Sequence, residues 1–165
     1  MKAIACVDRF LGIGYKGQLL FHLKEDLRRF KEVTTHKTVV MGYNTYRSLP
    51  NGALPQRTNI VLTRSHKVKD PRVITVKSEK ELNDYLASRN ISTDDVWLIG
   101  GEQLYKQFLP KCDELYLTIV DDVKKADSFF PDLNGWKVTN SYEFEEGNTR
   151  FTMQTLKQQE IAASV

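Results

Sequence analysis

VWLIGGEQLYKQFL, residues 96–109, reads as a strand turning into a helix. Val96–Ile99 is a continuous apolar run, the pattern of a strand covered on both faces. Gly100-Gly101 stops that run, and Leu104, Tyr105, Phe108 and Leu109 then recur at helical spacing. The same alternation extends outward in both directions. Ala3–Val7, Thr38–Met41, Asn59–Thr63, Val73–Val76 and Leu115–Val120 are further apolar runs. Helical patterns fall between them at His22–Thr34, at Thr45–Leu49, and after Ser78. There SEKE matches a capping box, with Glu81 three residues past the cap and Leu82, Tyr85 and Leu86 forming an apolar face. Strands alternating with helices predict an α/β domain around a largely parallel sheet. Trp136–Phe144 and Arg150–Lys157 alternate instead, which predicts an antiparallel C-terminal pair across Glu146-Gly147-Asn148 and a mixed sheet. Residues 1–158 are expected to form a single domain, with a frayed tail over 159–165.

Composition narrows the function classes. The chain has 165 residues, 41% hydrophobic and 27% charged, which suits one globular core. Its net charge of +3 is spread along the sequence, with Lys and Arg interleaved among acids. Phosphate-backbone binding needs clustered cations, so no nucleic-acid partner is expected. A mildly basic surface still suits a small polyanion. Two cysteines, Cys6 and Cys112, make neither a disulfide framework nor a metal-ligand spacing, so no metal is expected. The apolar runs are too short to span a membrane, and no leader pattern opens the chain. A cytoplasmic location is therefore expected, and a monomer in the absence of any exposed apolar stripe.

HLKEDLRRFKEVT (His22–Thr34) carries seven charged residues. At ~100° per residue, Leu23, Leu27, Phe30, Val33 and Thr34 share one arc. Lys24, Glu25, Arg28, Arg29, Lys31 and Glu32 fall on the opposite arc, toward water. Asp26 does not join them: it projects into the apolar arc between Val33 and Phe30. Burying even a neutral polar group without a partner costs roughly 2–7 kcal/mol. Either a structural partner or a ligand must satisfy this carboxylate.

In a sheet of this kind ligands gather at the carboxyl ends of the strands. Gly42 leads into Asn44 and Thr45; Gly100-Gly101 leads into a helix; Leu62-Thr63 leads into Arg64-Ser65-His66-Lys67. Each glycine has a plain conformational use in a turn, and together they also suit phosphate. No GxGxxG fingerprint occurs, which disfavours an ordinary dinucleotide-binding turn. Arg64 with Ser65, and no acid at that strand end, suits a 2′-phosphate better than a bare ribose. The irregular, glycine-rich segment Asp8–Phe21 is either a long connection or a lid over a site.

Taken in order, six segments resemble dihydrofolate reductase: IACVDRFLGIG (Ile4–Gly14), LLFHLKEDLRRFK (Leu19–Lys31), VVMGYNTYRSL (Val39–Leu49), LPQRTNIVLTR (Leu54–Arg64), WLIGGEQLYKQFLP (Trp97–Pro110) and LYLTIV (Leu115–Val120), with DSFFPDL (Asp127–Leu133) continuing the match. The resemblance implies that family's fold, a mixed, mostly parallel eight-stranded sheet flanked by about four helices with an antiparallel C-terminal edge. It also implies NADPH-dependent reduction of 7,8-dihydrofolate to tetrahydrofolate, in support of one-carbon metabolism and thymidylate and purine synthesis, with antifolates as inhibitors. Hydride would pass to pterin C6 and a proton to N5.

The catalytic residues implied are Asp26, which would bind the pterin 2-amino group and N3, and Thr118, which would hydrogen-bond that acid. Arg57 would clasp the carboxylate of the substrate's glutamate tail. Ile4, Phe21, Leu27, Phe30, Lys31, Leu49, Leu54 and Ile99 would complete the substrate site. Cofactor positions would be Cys6, Ile13, Gly14, Gln18, Leu19, Asn44, Thr45, Thr63, Arg64, Ser65, Lys77, Gly100, Gly101, Gln103, Leu104 and Tyr105. The chain departs from the family at Phe21, where many members have Trp, at Lys24 for a common Pro, and at Tyr43 and Gln103, where phosphate-reaching Arg residues occur. Phosphate binding then leans on Arg64 and Lys77. Two alternatives share the scaffold: an NADPH-dependent pyrimidine reductase of riboflavin synthesis, and a non-catalytic pterin-binding protein.

Overall fold

Eight strands hydrogen-bond into one sheet in a computed structural model that describes residues 1–159. In chain order they are β1 (Lys2–Val7), β4 (Thr38–Gly42), β5 (Thr58–Leu62), β6 (Val73–Val76), β7 (Val96–Leu98), β8 (Glu114–Val120), β10 (Trp136–Glu146) and β11 (Thr149–Gln158). The spatial order is β10-β11-β8-β1-β7-β4-β5-β6. The six strands from β8 to β6 run parallel, and β11 and β10 add antiparallel at one edge. The mixed sheet read from the sequence is thus observed. The helices are α1 (Lys24–Thr34), α2 (Tyr43–Ser48), α3 (Glu79–Ser88) and α4 (Glu102–Phe108).

Period-two alternation on a doubly covered sheet splits each strand between two cores. Ala3, Ala5 and Val7 of β1 pack with Val40, Ile60 and Leu98 beneath α3 and α4, where Leu82, Leu86, Leu104 and Phe108 point inward. Ile4 faces the other way, with Val39, Met41, Val61 and Trp97, against Phe30 and Val33 of α1. Each of the larger aliphatic, Met or Phe side chains removed from water stabilises the fold by about 1.5–3 kcal/mol, and the alanines less.

β7 follows β4, β5 and β6 in the chain yet wedges between β1 and β4. This insertion makes a topological switch point, where ligands bind in open α/β sheets. The carboxyl ends of β4 and β7 are joined there by Gly42 N–H donating to Gly100 O at 2.8 Å. The Gly100–Gly101 peptide bond is cis, and Gly100 has φ +127°. A Cβ at Gly100 would lie 3.2 Å from Thr45 Oγ1, so only glycine suits both the backbone and the contact.

Several expectations change in detail. Asp8–Phe21 is not irregular: it contains β2 (Gly12–Tyr15) and β3 (Gln18–Leu19), which form a separate small sheet with β9 (Ser128–Phe129). Buried Asp8 ties its start, accepting from Phe10 N, Gly12 N and Lys124 N. A hairpin held by a distant segment lacks a local signature. α1 begins at Lys24 rather than His22, and α2 begins at Tyr43, two residues before the expected start. The expected capping box forms with one change: Ser78 Oγ accepts from Glu81 N, but the Glu81 carboxylate takes Lys77 N. The terminal hairpin is longer than expected and turns at Gly147-Asn148, with Gly147 at φ +61°. Gln159 N donates to Gly135 O; the rest of the tail expected to fray, 160–165, lies outside the described residues.

Candidate active site

Asp26 stands in the first turn of α1, and Thr118 in β8, between β1 and β11. Thr118 is 1% exposed, and its hydroxyl donates to Asp26 Oδ1 at 2.7 Å. A hydroxyl donating to a carboxylate oxygen favours the ionised form of the acid. Burial pushes the Asp26 carboxyl above its ordinary value; the Thr118 hydrogen bond and the charge of Arg29 oppose that shift. Cys6, paired with Thr118 across the strands, has its thiol pushed up by burial and then by the Asp26 charge. It stays protonated and unreactive there.

The helix that carries Asp26 has no side-chain cap of its own. Glu146, at the end of β10, supplies one: its two oxygens accept from Lys24 N at 3.0 Å each. Oε1 also accepts from Glu25 N at 3.4 Å. A carboxylate at a helix N-terminus satisfies orphan amides and complements the macrodipole. Proline at position 24 would remove the donor for this bond. The departure at Lys24 and the carboxylate at Glu146 therefore work together.

Apolar groups flank the acid. Ile4 and Phe21 are buried, and Phe30, Leu49, Leu54 and Ile99 are half-buried around the core on the α1 face. Leu27 is 50% exposed rather than covered, since it stands at the rim beside Asp26 and not over the sheet. Lys31 is exposed. Arg57 lies over the Phe30 ring at 5.7 Å, and its buried Nε has no partner. Burial lowers its pKa. A shallow cavity of about 430 Å³ adjoins Arg57 and is also lined by His36, Lys37, Gln56 and Thr58. Sequence reading missed Asn59, which is 1% exposed. Its amide bonds both Leu54 N and Leu54 O at 2.9 Å and also Arg57 O, pinning the segment that carries Arg57.

A second cavity, about 610 Å³, opens at the carboxyl ends of β4 and β5. Of the expected cofactor positions it gathers Thr63, Arg64, Lys77, Gln103 and Leu104. Lys106 adds a third cation that the sequence reading did not pick out, though it lies one turn after Gln103 on α4. The single acid in the lining, Glu79, is paired with Lys111 outside it. Thr45 meets the Gly100-Gly101 turn, while Asn44 is exposed. Ser65 turns toward His66, which stacks on Tyr43 at 3.9 Å. Tyr105 is buried in the core against Phe130, and its hydroxyl donates to Ile4 O at 2.6 Å. It shapes the site through β1 rather than by lining it. Ile13 and Gly14 are buried in β2, where a Cβ on Gly14 would approach Ser128 Oγ to 2.9 Å; Gln18 and Leu19 are exposed on β3.

A hydroxyl-bonded acid set among apolar side chains, together with a cavity of about 610 Å³ that carries three cations at the strand ends, fits a cofactor-dependent α/β enzyme. Comparison with known proteins specifies which. The family model for dihydrofolate reductase matches residues 1–159. The chain is 40% identical over 136 residues to the dihydrofolate reductase of Haemophilus influenzae, covering 81% of this chain and 79% of that one. It is 33% identical over 156 residues to that of Buchnera aphidicola subsp. Acyrthosiphon pisum, with 93% and 91% covered. It is 31% identical over 141 residues to that of Staphylococcus aureus, with 83% and 84% covered. The chain belongs to the dihydrofolate reductase family. Its reaction is the NADPH-dependent reduction of dihydrofolate. The residues present fit the cofactor: three cations line one cavity, and two glycines permit close approach at the strand ends.

Proposed function

We propose that Asp26 is the acid that binds and polarises the pterin, and that Thr118 holds it in place. The observation that carries this reading is the 2.7 Å bond from Thr118 Oγ1 to Asp26 Oδ1 in a largely desolvated setting. A fixed carboxylate of this kind suits the paired N–H donors at the pterin 2-amino group and N3. It also favours protonation of the ring it faces, because opposite charges attract strongly at low dielectric. Bound NADPH supplies the hydride that reaches pterin C6. Asp26 at the N3 side is too far round the ring to hand a proton to N5, so its role is electrostatic and water carries the proton. The Gly12–Leu19 hairpin controls that water's access. Asp127 holds the hairpin, its Oδ2 accepting from Lys16 N at 3.0 Å and its N–H donating to Gly14 O at 2.9 Å.

Ile4, Phe21, Leu27, Phe30, Leu49, Leu54 and Ile99 enclose the pterin and benzoyl rings, and antifolates use the same cleft. Arg57, with Lys31 beyond it, takes the glutamate tail; its guanidinium borders a cavity of about 430 Å³ and suits a bidentate grip on a carboxylate. Arg64, Lys77 and the Thr63–Ser65 turn hold the adenosine phosphate end. Residues 1–158 act as one cytoplasmic, monomeric domain. No helix among the described residues is long and apolar enough to cross a membrane, and the edge strand β10 carries Lys137, Glu143 and Glu145, charges that discourage edge-to-edge pairing.

Single-turnover mixing of the NADPH-bound enzyme with dihydrofolate tests the central role. Asp26→Asn should slow hydride transfer by about 10²–10⁴-fold near pH 7. NADPH affinity should stay within about twofold, since the acid lies outside the cationic cavity. An unchanged rate would remove Asp26 from the mechanism.

A further inference from the structure

Arg29 falls on the water-facing arc of α1 by periodicity, yet the structure folds it inward. Its guanidinium lies 4.5 Å from the centroid of the Tyr116 ring. Nη2 donates to Gln154 O at 2.9 Å and to Thr155 Oγ1 at 3.3 Å, while Nη1 is buried with no partner. β11 passes beneath the helix here and offers a backbone carbonyl that the sequence does not announce. A buried, incompletely bonded cation is costly unless a counter-charge stands near.

The geometry supplies one. Asp26 and Arg29 are three residues apart, on neighbouring positions of the helix surface. Their partners Thr118 and Tyr116 are two residues apart in β8, so both point to the same face of the sheet. The acid and the cation thus stand side by side over one strand. The other charged or titratable groups around Asp26 are committed or neutral. Glu25 is paired with Arg28, and Glu146 caps the Lys24 amide. Glu114 faces Lys157 at 4.0 Å. Cys6 and Tyr105 are kept protonated by burial and, secondly, by the charge of Asp26.

We propose that Arg29 is a positioning residue for the reaction, a fixed counter-charge that keeps the Asp26 carboxylate ionised and sets the pH range over which hydride transfer proceeds. The inference rests on Asp26 being the substrate-binding acid. Its sign does not depend on where the proton resides. Asp26 and pterin N5 titrate as a coupled pair, and removing a nearby cation makes protonation of either one easier. Reduction consumes a proton, so the rate falls above the apparent pKa of the pair. Loss of the cation moves that fall to higher pH.

The test is the pH profile of single-turnover hydride transfer from the NADPH complex. Arg29→Gln, which keeps a donor for Gln154 O, should raise the apparent pKa by about one unit. On the alkaline limb its rate, relative to its own plateau, should then exceed that of the parent about tenfold. Arg29→Met is a second neutral variant, to be used if Gln is not tolerated. Arg29→Lys keeps the charge and should restore the parent profile. A neutral variant that loses thermal stability with no change in apparent pKa would show a structural residue and overturn the inference. An Asp26→Asn enzyme with an unaltered rate would instead overturn the site assignment on which the inference rests.

Discussion

Asp26 is placed where a helix would ordinarily show a carboxylate to water, but it is turned to the sheet and met there by a hydroxyl. Its stability consequence has a definite sign. Burial raises its pKa above the ordinary value of 3.8. A carboxyl raised in the folded state contributes stability that is fully present below the unfolded value and lost as pH rises through the folded one. Where the acid is ionised, its buried charge therefore lowers stability. Asp26→Asn should melt higher than the parent at pH 7, by less than the desolvation alone implies because Arg29 loses its counter-charge, and the gain should shrink as pH falls into the ordinary carboxyl range. Thermal melts across that range measure it. Gln154, Thr155 and Tyr116 also explain why periodicity misplaces Arg29. A helical wheel gives the direction of a side chain from the axis, whereas a long guanidinium can fold back onto whatever strand passes beneath.

The elements owe their boundaries to groups far along the chain. α1 has an apolar face legible from residues 22–34, but its start at Lys24 depends on Glu146, more than a hundred residues later. Glu146→Ala leaves the Lys24 and Glu25 amides without an acceptor and should cost about 1 kcal/mol. For a domain of this size that is a fall of a few degrees in Tm. Because the same turn carries Asp26, hydride transfer should also slow, which single-turnover kinetics of the variant would register. The hairpin of β2 and β3 has the same character. Its third strand is only Ser128–Phe129, and its fixing bonds come from Asp127 and Asp8. Short polar strands with distant partners carry no periodicity, so that segment reads as a loop. The box at Ser78 and Glu81 lies within four residues of sequence and was legible for that reason.

Across the whole molecule, function follows from strand order. The insertion of β7 between β1 and β4 brings Gly42, Thr45 and the Gly100-Gly101 turn together at the strand ends where the cationic cavity opens. With Arg64, Lys77 and Lys106 sharing that cavity, its attraction for phosphate is a field effect, sensitive to salt. Lys77→Gln should weaken NADPH binding roughly 3–10-fold and NADH binding less. The difference should shrink as ionic strength rises, and ligand-induced shifts in Tm report both affinities.

Residues alone determined the α/β class, the helices and most strands, because continuous apolar runs and 3.6-residue periodicity are local patterns set by which faces must leave water. They also marked Asp26, since one charge on an apolar arc stands out without any partner in view. The strand end at Thr63 likewise marked Arg64 as a phosphate partner, and matched motifs carried the site list to Arg57 and Thr118. Tertiary structure alone decided which carboxylate caps the Asp26 helix, where Arg29 lies, and that Asn59 pins the Arg57 segment. Each of these is a contact between segments far apart in sequence. Hydrogen bonds and charge pairing act across a few ångströms of space, and only the fold determines which residues share those ångströms.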